Sequence, residues 1–265
     1  MQRLAINQLT TYSWSFERDV VTYAAAGVQA IGLWRAKLTD YGVEKGSELL
    51  REHELRVSSL HWAGGFTGSD GRSYSDSLRD GIEAVEVAAM VEAPCVVVHS
   101  GARGGHTRNH AARLFKNALD RLLPKAEEHN VALAIEPMHP DCSAEWTMLQ
   151  TLEQTADLLQ AWSSPYLQMV YDMYHFPAPS RQWLGELLPW MALVQLGDAQ
   201  RPPDGEQNRC PLGDGQLPLG ERVSQLEQLG YTGFYEVELR GEDVEELSYD
   251  DLLHRSIHTF NELLT

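Results

Sequence analysis

Four oxygen donors, Glu136, Asp172, Gln195 and Glu238, each stand at the end of a short apolar run, separated by 36, 23 and 43 positions. Three carboxylates brought together repel and raise one another's pKa unless a cation lies between them. A divalent ion relieves that repulsion. An oxygen-rich set suits Mg²⁺ or Mn²⁺ best, with Co²⁺ or Zn²⁺ also compatible. Asp172 carries a second signal, because His175 follows three residues later within "VYDMYHF" (170–176). An unpartnered acid in so apolar a segment is costly, so it demands partners from elsewhere in the chain.

Those partners converge if the apolar runs are strands of one parallel sheet. Eight runs rich in Val, Ile and Leu recur: "RLAINQ" (3–8), "VQAIGLW" (28–34), "RVSSLHW" (56–62), "PCVVVHS" (94–100), "VALAIEP" (131–137), "LQMVYD" (167–172), "ALVQLGD" (192–198) and "GFYEVEL" (233–239). Between them lie segments of helical period, such as 74–92, 113–130 and 221–231, the second expected to kink or break at Pro124. Near-continuous apolar strands alternating with helices predict a parallel sheet covered by helices. Eight such units over 1–265 predict a single (β/α)8 TIM barrel with its site at the C-terminal ends of the strands. A doubly wound sheet is the rival, and no GxGxxG follows the first run to support its dinucleotide-binding form. In the barrel, Asn7, Trp34 with Arg35, His61, His99, Glu136, Asp172 with His175, Gln195 and Glu238 share one mouth. The irregular stretch 197–220 is long enough to suggest a functional or mobile loop.

Composition narrows the partners. A net charge of −17 with dispersed Lys and Arg argues against nucleic acid. No apolar stretch of about 18 residues marks a membrane span. Cys95, Cys142 and Cys210 are odd in number and widely spaced, which suits neither a disulfide framework nor a thiolate zinc site. The N-terminus lacks the marks of a secretory signal, so a cytoplasmic location is expected.

The stretches "ALAIEPMHP" (132–140), "QMVYDMYHF" (168–176), "ALVQLGDA" (192–199), "RCPLGDGQL" (209–217) and "GYTGFYEVEL" (230–239) resemble the xylose-isomerase-like sugar isomerase/epimerase superfamily. The resemblance follows the whole barrel order but is specific only in the C-terminal half. It implies one divalent metal held by Glu136, Asp172 and Glu238, with Gln195 at a third position where many epimerases of the family carry His. Gln there resembles the hydroxypyruvate-isomerase-like and dehydroshikimate-dehydratase-like branches, and Asp172–His175 followed by Arg209, Gly213 and Gly215 resembles the order in the first of these. The link from Gln195 to Arg209 is long, which leaves Arg201 as an alternative for the arginine role. Gln195 is either a ligand or a hydrogen-bonding group for substrate or water. Glu236 shares the face of Glu238, but Glu238 lies nearer the mouth and matches the family's position.

The chemistry expected is proton transfer on a small keto sugar or hydroxy-ketone, with the cation stabilising an enediolate. Glu136 and Glu238, on the fifth and eighth strands, form the base and acid pair. His175 would polarise a substrate oxygen. Arg209 or Arg201 would bind a substrate group, and His61, His99 and Trp34 would line the pocket. Elimination from the same intermediate would make a lyase, the second reading. A multi-metal DNA-repair endonuclease on this barrel is disfavoured by charge, and a non-catalytic binding protein predicts no metal. Barrels of this kind often pair, so a homo-oligomer is an expected partner state, although no segment marks an interface.

Overall fold

A computed structural model describes residues 3–264. The elements alternate as β1 (Leu4–Asn7), α1 (Phe16–Ala25), β2 (Ala30–Trp34), α2 (Arg35–Tyr41), α3 (Val43–Glu52), β3 (Arg56–Ala63), α4 (Tyr74–Met90), β4 (Cys95–Val98) and α5 (Arg108–His129). The second half continues with β5 (Ala132–Ile135), α6 (Leu152–Trp162), β6 (Leu167–Asp172), α7 (Arg181–Leu187), β7 (Met191–Leu196), α8 (Leu219–Leu229), β8 (Tyr235–Val237), α9 (Glu242–Glu245) and α10 (Tyr249–Leu263). All eight strands are parallel to their neighbours, and β1 pairs with β8 from Leu4↔Tyr235 to Ile6↔Val237, closing the barrel. The fold is a single (β/α)8 TIM barrel.

Local chemistry starts and stops the helices. Ser15, Ser73, Thr107, Thr151, Ser180 and Ser248 each accept a hydrogen bond from the backbone N–H three residues on, satisfying one donor that the first turn leaves free. Gly230 ends α8 at φ 88°, where a residue without Cβ is favoured. The break expected at Pro124 does not occur, and α5 runs unbroken through it. Its buried stripe, which includes Phe115, Leu119, Leu122 and Leu123, packs against the barrel. That burial outweighs the lost N–H and the ring clash, about 3 kcal/mol in all.

The barrel interior changes character along its axis. Cys95, Val97, Ala134, Val170 and Leu193 form an apolar inner cluster. Two residues further on, and so on the same side of each strand, stand His99, Glu136, Asp172 and Gln195. The alternation that fills the lower barrel with small apolar groups thus delivers polar groups to the upper layer. Every one of those four is buried.

Candidate active site

Glu136 follows β5, and its Oε2 lies 2.7 Å from His99 Nε2. Burial would raise this carboxyl, but the His99 ring, followed by His175 and His61, pulls its pKa down to about 2. His175 Nε2 lies 3.7 Å from Asp172 Oδ2. Burial, then the positive Arg209, lowers the His175 pKa to about 3, so the ring is neutral at pH 7. Neither of its nitrogens has a hydrogen-bond partner. Glu136, Asp172 and His175 present donor atoms all within 4.8 Å of one another.

Asp172 answers its burial cost with two contacts. Oδ1 accepts from Tyr174 N at 2.8 Å and Oδ2 from Arg209 Nη2 at 2.7 Å. Burial still wins over the nearby guanidinium and leaves the Asp172 pKa above its ordinary value. Arg209 is itself fully buried, stacked 4.7 Å over the Tyr174 ring, and the same Nη2 lies 3.8 Å from Glu238 Oε1. It also donates to Gln207 Oε1 at 2.8 Å and to the Glu238 carbonyl at 3.2 Å. The arginine expected as an arm toward substrate is therefore an internal counter-charge between two site acids. Arg201, the alternative, is exposed on the long loop.

Gln195 sits opposite Asp172 in the β6–β7 register. Its Nε2 donates to Glu238 Oε2 at 2.9 Å and is 3.5 Å from Glu236 Oε1. Those two carboxylates orient the amide and leave Oε1 buried with no partner. A buried carbonyl oxygen of this kind calls for a ligand. Donor atoms gather in two groups, Glu136 with Asp172 and His175, and Glu238 with Glu236 and His61, each within 4.8 Å of one another, and such acid-rich groups beside an orphan amide oxygen suit a divalent cation.

Glu236 has a different fate. It accepts from Asn7 Nδ2 at 2.7 Å and from Ser58 and Ser59 hydroxyls at 2.6 Å each, and His61 Nε2 lies 3.0 Å away. Burial alone would raise this carboxyl, but His61 and the serines hold it below the usual range. Its oxygens are committed to the barrel, which leaves Glu238 as the acid facing the mouth. Adjacent Ser58 and Ser59 reach one carboxylate because the β2–β3 register shifts there, pairing Ile31 with Val57 and Gly32 with Ser59. Gly32 leaves the room, since a Cβ there would run into Glu236.

The remaining expected residues lie around the rim. Trp34 is half-buried at the end of β2, opposite His61 in register. His99 meets Trp146 edge-on at 5.6 Å, and Trp62 meets Trp146 at 5.2 Å. Trp146 comes from the loop after β5, outside any periodic run, so the sequence reading missed it.

Asp198 was also missed. Its carboxylate accepts from the backbone N–H groups of Ala199, Gly213, Gly215 and Leu217 at 2.9–3.2 Å. Gly213 adopts φ 88°, and a Cβ at Gly215 would collide with Asp198. Asp198 also pairs with Cys210 in an isolated bridge, which delivers the neighbouring Arg209 to the site. Only the Gly-x-Gly spacing around an acid could have signalled this. Asp198→Asn is expected to destabilise the protein by about 1–3 kcal/mol and to speed proteolytic cleavage within 200–208. Urea unfolding and limited proteolysis check this, and unchanged cleavage would mean that other contacts hold the turn.

A closed eight-stranded barrel with buried acids, imidazoles and one orphan amide oxygen at its C-terminal mouth defines a TIM-barrel protein with a cation-compatible centre. The chain belongs to the xylose isomerase-like TIM barrel family, whose model matches residues 20–257. A Mus musculus protein provisionally named hydroxypyruvate isomerase is 29% identical over 184 residues, covering 65% of this chain and 64% of that protein, just under two thirds of its length. An inosose isomerase of Halalkalibacterium halodurans is 22% identical over 86% of this chain and 82% of its own. Among solved structures, the IolI protein with a bound zinc atom superposes with a TM-score of 0.84 over 99% of this chain and 98% of that one, at 18% identity.

Proposed function

We propose that this protein is a divalent-metal-dependent isomerase or epimerase of a small keto sugar or hydroxy-ketone. The observation that carries the reading is the unpartnered Gln195 Oε1, buried on a residue that is the register partner of Asp172 and whose own amide nitrogen holds Glu238. Glu136, Asp172, Gln195 and Glu238 would hold the cation. When bound, it supplies a Lewis acid for the carbonyl and neighbouring hydroxyl of an α-hydroxy ketone. Glu136, fixed by His99, and Glu238, fixed by Gln195, take and return the carbon-bound proton. His175 is neutral with both nitrogens free, and bonds a substrate oxygen. The names of the mouse and Halalkalibacterium relatives support isomerase chemistry, and IolI supports a metal. No helix of the described residues is long and apolar enough to cross a membrane. All three cysteines are buried and unpaired, which supports a cytoplasmic setting.

Chelation is expected to abolish turnover of a panel of ketoses and hydroxy-ketones, and Mn²⁺ or Mg²⁺ to restore it. Proton NMR in D₂O should show solvent deuterium in the product. A new alkene signal would replace isomerisation by β-elimination. Full activity after metal removal would overturn the reading.

A further inference from the structure

A groove on the flank of the barrel parts α5 from α6 and encloses about 610 Å³, within the roughly 300–1,000 Å³ of small-molecule sites. One stripe of each helix lines it, Arg108, Ala112 and Lys116 on α5 and Gln154, Leu158 and Ala161 on α6, in each case residues spaced by three or four. Phe115 and Leu158 give it buried apolar surface. The loop after β5 closes one side and is pinned there. Met148 N donates to Ser100 Oγ at 2.8 Å, and the Leu149 carbonyl accepts from Met138 N at 3.0 Å. Trp162 Nε1 donates to Asp120 Oδ1 at 3.0 Å and ties the end of α6 back to α5. The groove is therefore preformed, and none of the acids, imidazoles or the amide at the barrel mouth lines it.

Its charge runs against the rest of the chain. The protein carries −17 overall, yet residues 93–119 hold Arg103, Arg108, Arg113 and Lys116 without one Asp or Glu. Three of those four line the groove, and Asp157 is the only acid among the described residues that line it. Arg103 and Arg108 are exposed and make no ion pair or side-chain hydrogen bond among the described residues. Lys116 lies 5.9 Å over the Trp162 ring. Arg108 and Lys116 are roughly 12 Å apart along the helix axis, a span longer than an inorganic ion can bridge. A carboxylate or phosphate head matches the guanidinium forks of the two free arginines, and an apolar body is favoured on Phe115 and Leu158.

We propose that this groove is a second binding site, separate from the mouth of the barrel, for an amphipathic anion: a phosphate or carboxylate head at Arg103 and Arg108, with an apolar chain or ring lying between α5 and α6. Its occupancy does not depend on the isomerase reading above.

Isothermal titration of the full chain with octyl phosphate, kept below its micelle concentration, should show saturable binding at least about tenfold tighter than that of inorganic phosphate or octyl glucoside. Arg108→Gln should weaken it about tenfold. Ala112→Glu, at an exposed helix position, sets an acid in the groove and should abolish it. Ala161→Glu on the opposite wall repeats that test should the first variant fail to fold. Binding should be equal in Mn²⁺ and in chelator, and Ala112→Glu should leave ketose turnover unchanged, so this site and the chemistry at the mouth stand or fall separately. Octyl glucoside or inorganic phosphate binding as tightly as octyl phosphate overturns the site, as does octyl phosphate binding that survives both acidic variants. Binding lost on chelation would move the ligand to the mouth, and a dimer split by Ala112→Glu would give the groove to a second copy; either result overturns the proposal.

Discussion

Glu238→Gln should leave a folded barrel whose proton-transfer rate is about 10²–10⁴-fold lower. The substitution keeps the side chain's shape but removes the charge that faces Gln195 Nε2 at 2.9 Å and Arg209 Nη2 at 3.8 Å. An amide there sets N–H against N–H on one side and loses its basicity on the other. Asp172 still pairs with Arg209, so the long loop stays docked. Deuterium exchange at saturating substrate measures the rate, and isothermal titration with Mn²⁺ measures the expected loss of cation affinity. A rate within tenfold of the parent would remove Glu238 from the acid–base pair.

Arg209→Leu is expected to have the largest effect on stability. Removing one partner of a buried pair leaves an uncompensated charge, at a cost of about 3–5 kcal/mol. Asp172 and Arg209 are both fully buried, so neither gains solvent when the other is lost. A divalent ion among the same acids would supply the missing positive charge. The destabilisation should therefore be greater in chelator than in Mn²⁺, as read by urea unfolding under both conditions. A loss below about 1 kcal/mol in chelator, the value of a surface pair, would mean that this ion pair does not hold the loop.

The fold was legible because the barrel writes itself twice in the sequence. Strands appear as apolar runs, and the polar residue two places beyond Val97, Ala134, Val170 or Leu193 marks the mouth. That alternation gave Glu136, Asp172 and Gln195 their common layer before any contact was known. It failed where the backbone departs from period two. The register shift at Ile31/Gly32 brings two successive serines onto Glu236, and no alternation rule anticipates that. Loops carry no period at all, so Trp146 and Asp198 left little trace. Arg209 was singled out, but its destination was not. Its position depends on backbone N–H groups gathering around Asp198, and a sequence does not display where such groups point. Pro124 shows the opposite limit, a strong local signal overridden by the stripe of α5 buried on the barrel.

The Asp198–Cys210 bridge has a consequence for how this protein can diversify. It joins the two ends of the excursion formed by residues 199–209, and Arg209 N is tied separately to the Arg240 carbonyl at 2.9 Å. The mostly exposed stretch 200–206 between those anchors can grow, shrink or change composition while the base of the loop keeps its place. Only the tip is free to be exchanged, because Gln207, Asn208 and Arg209 are tied to the centre through Asp172 and Tyr174.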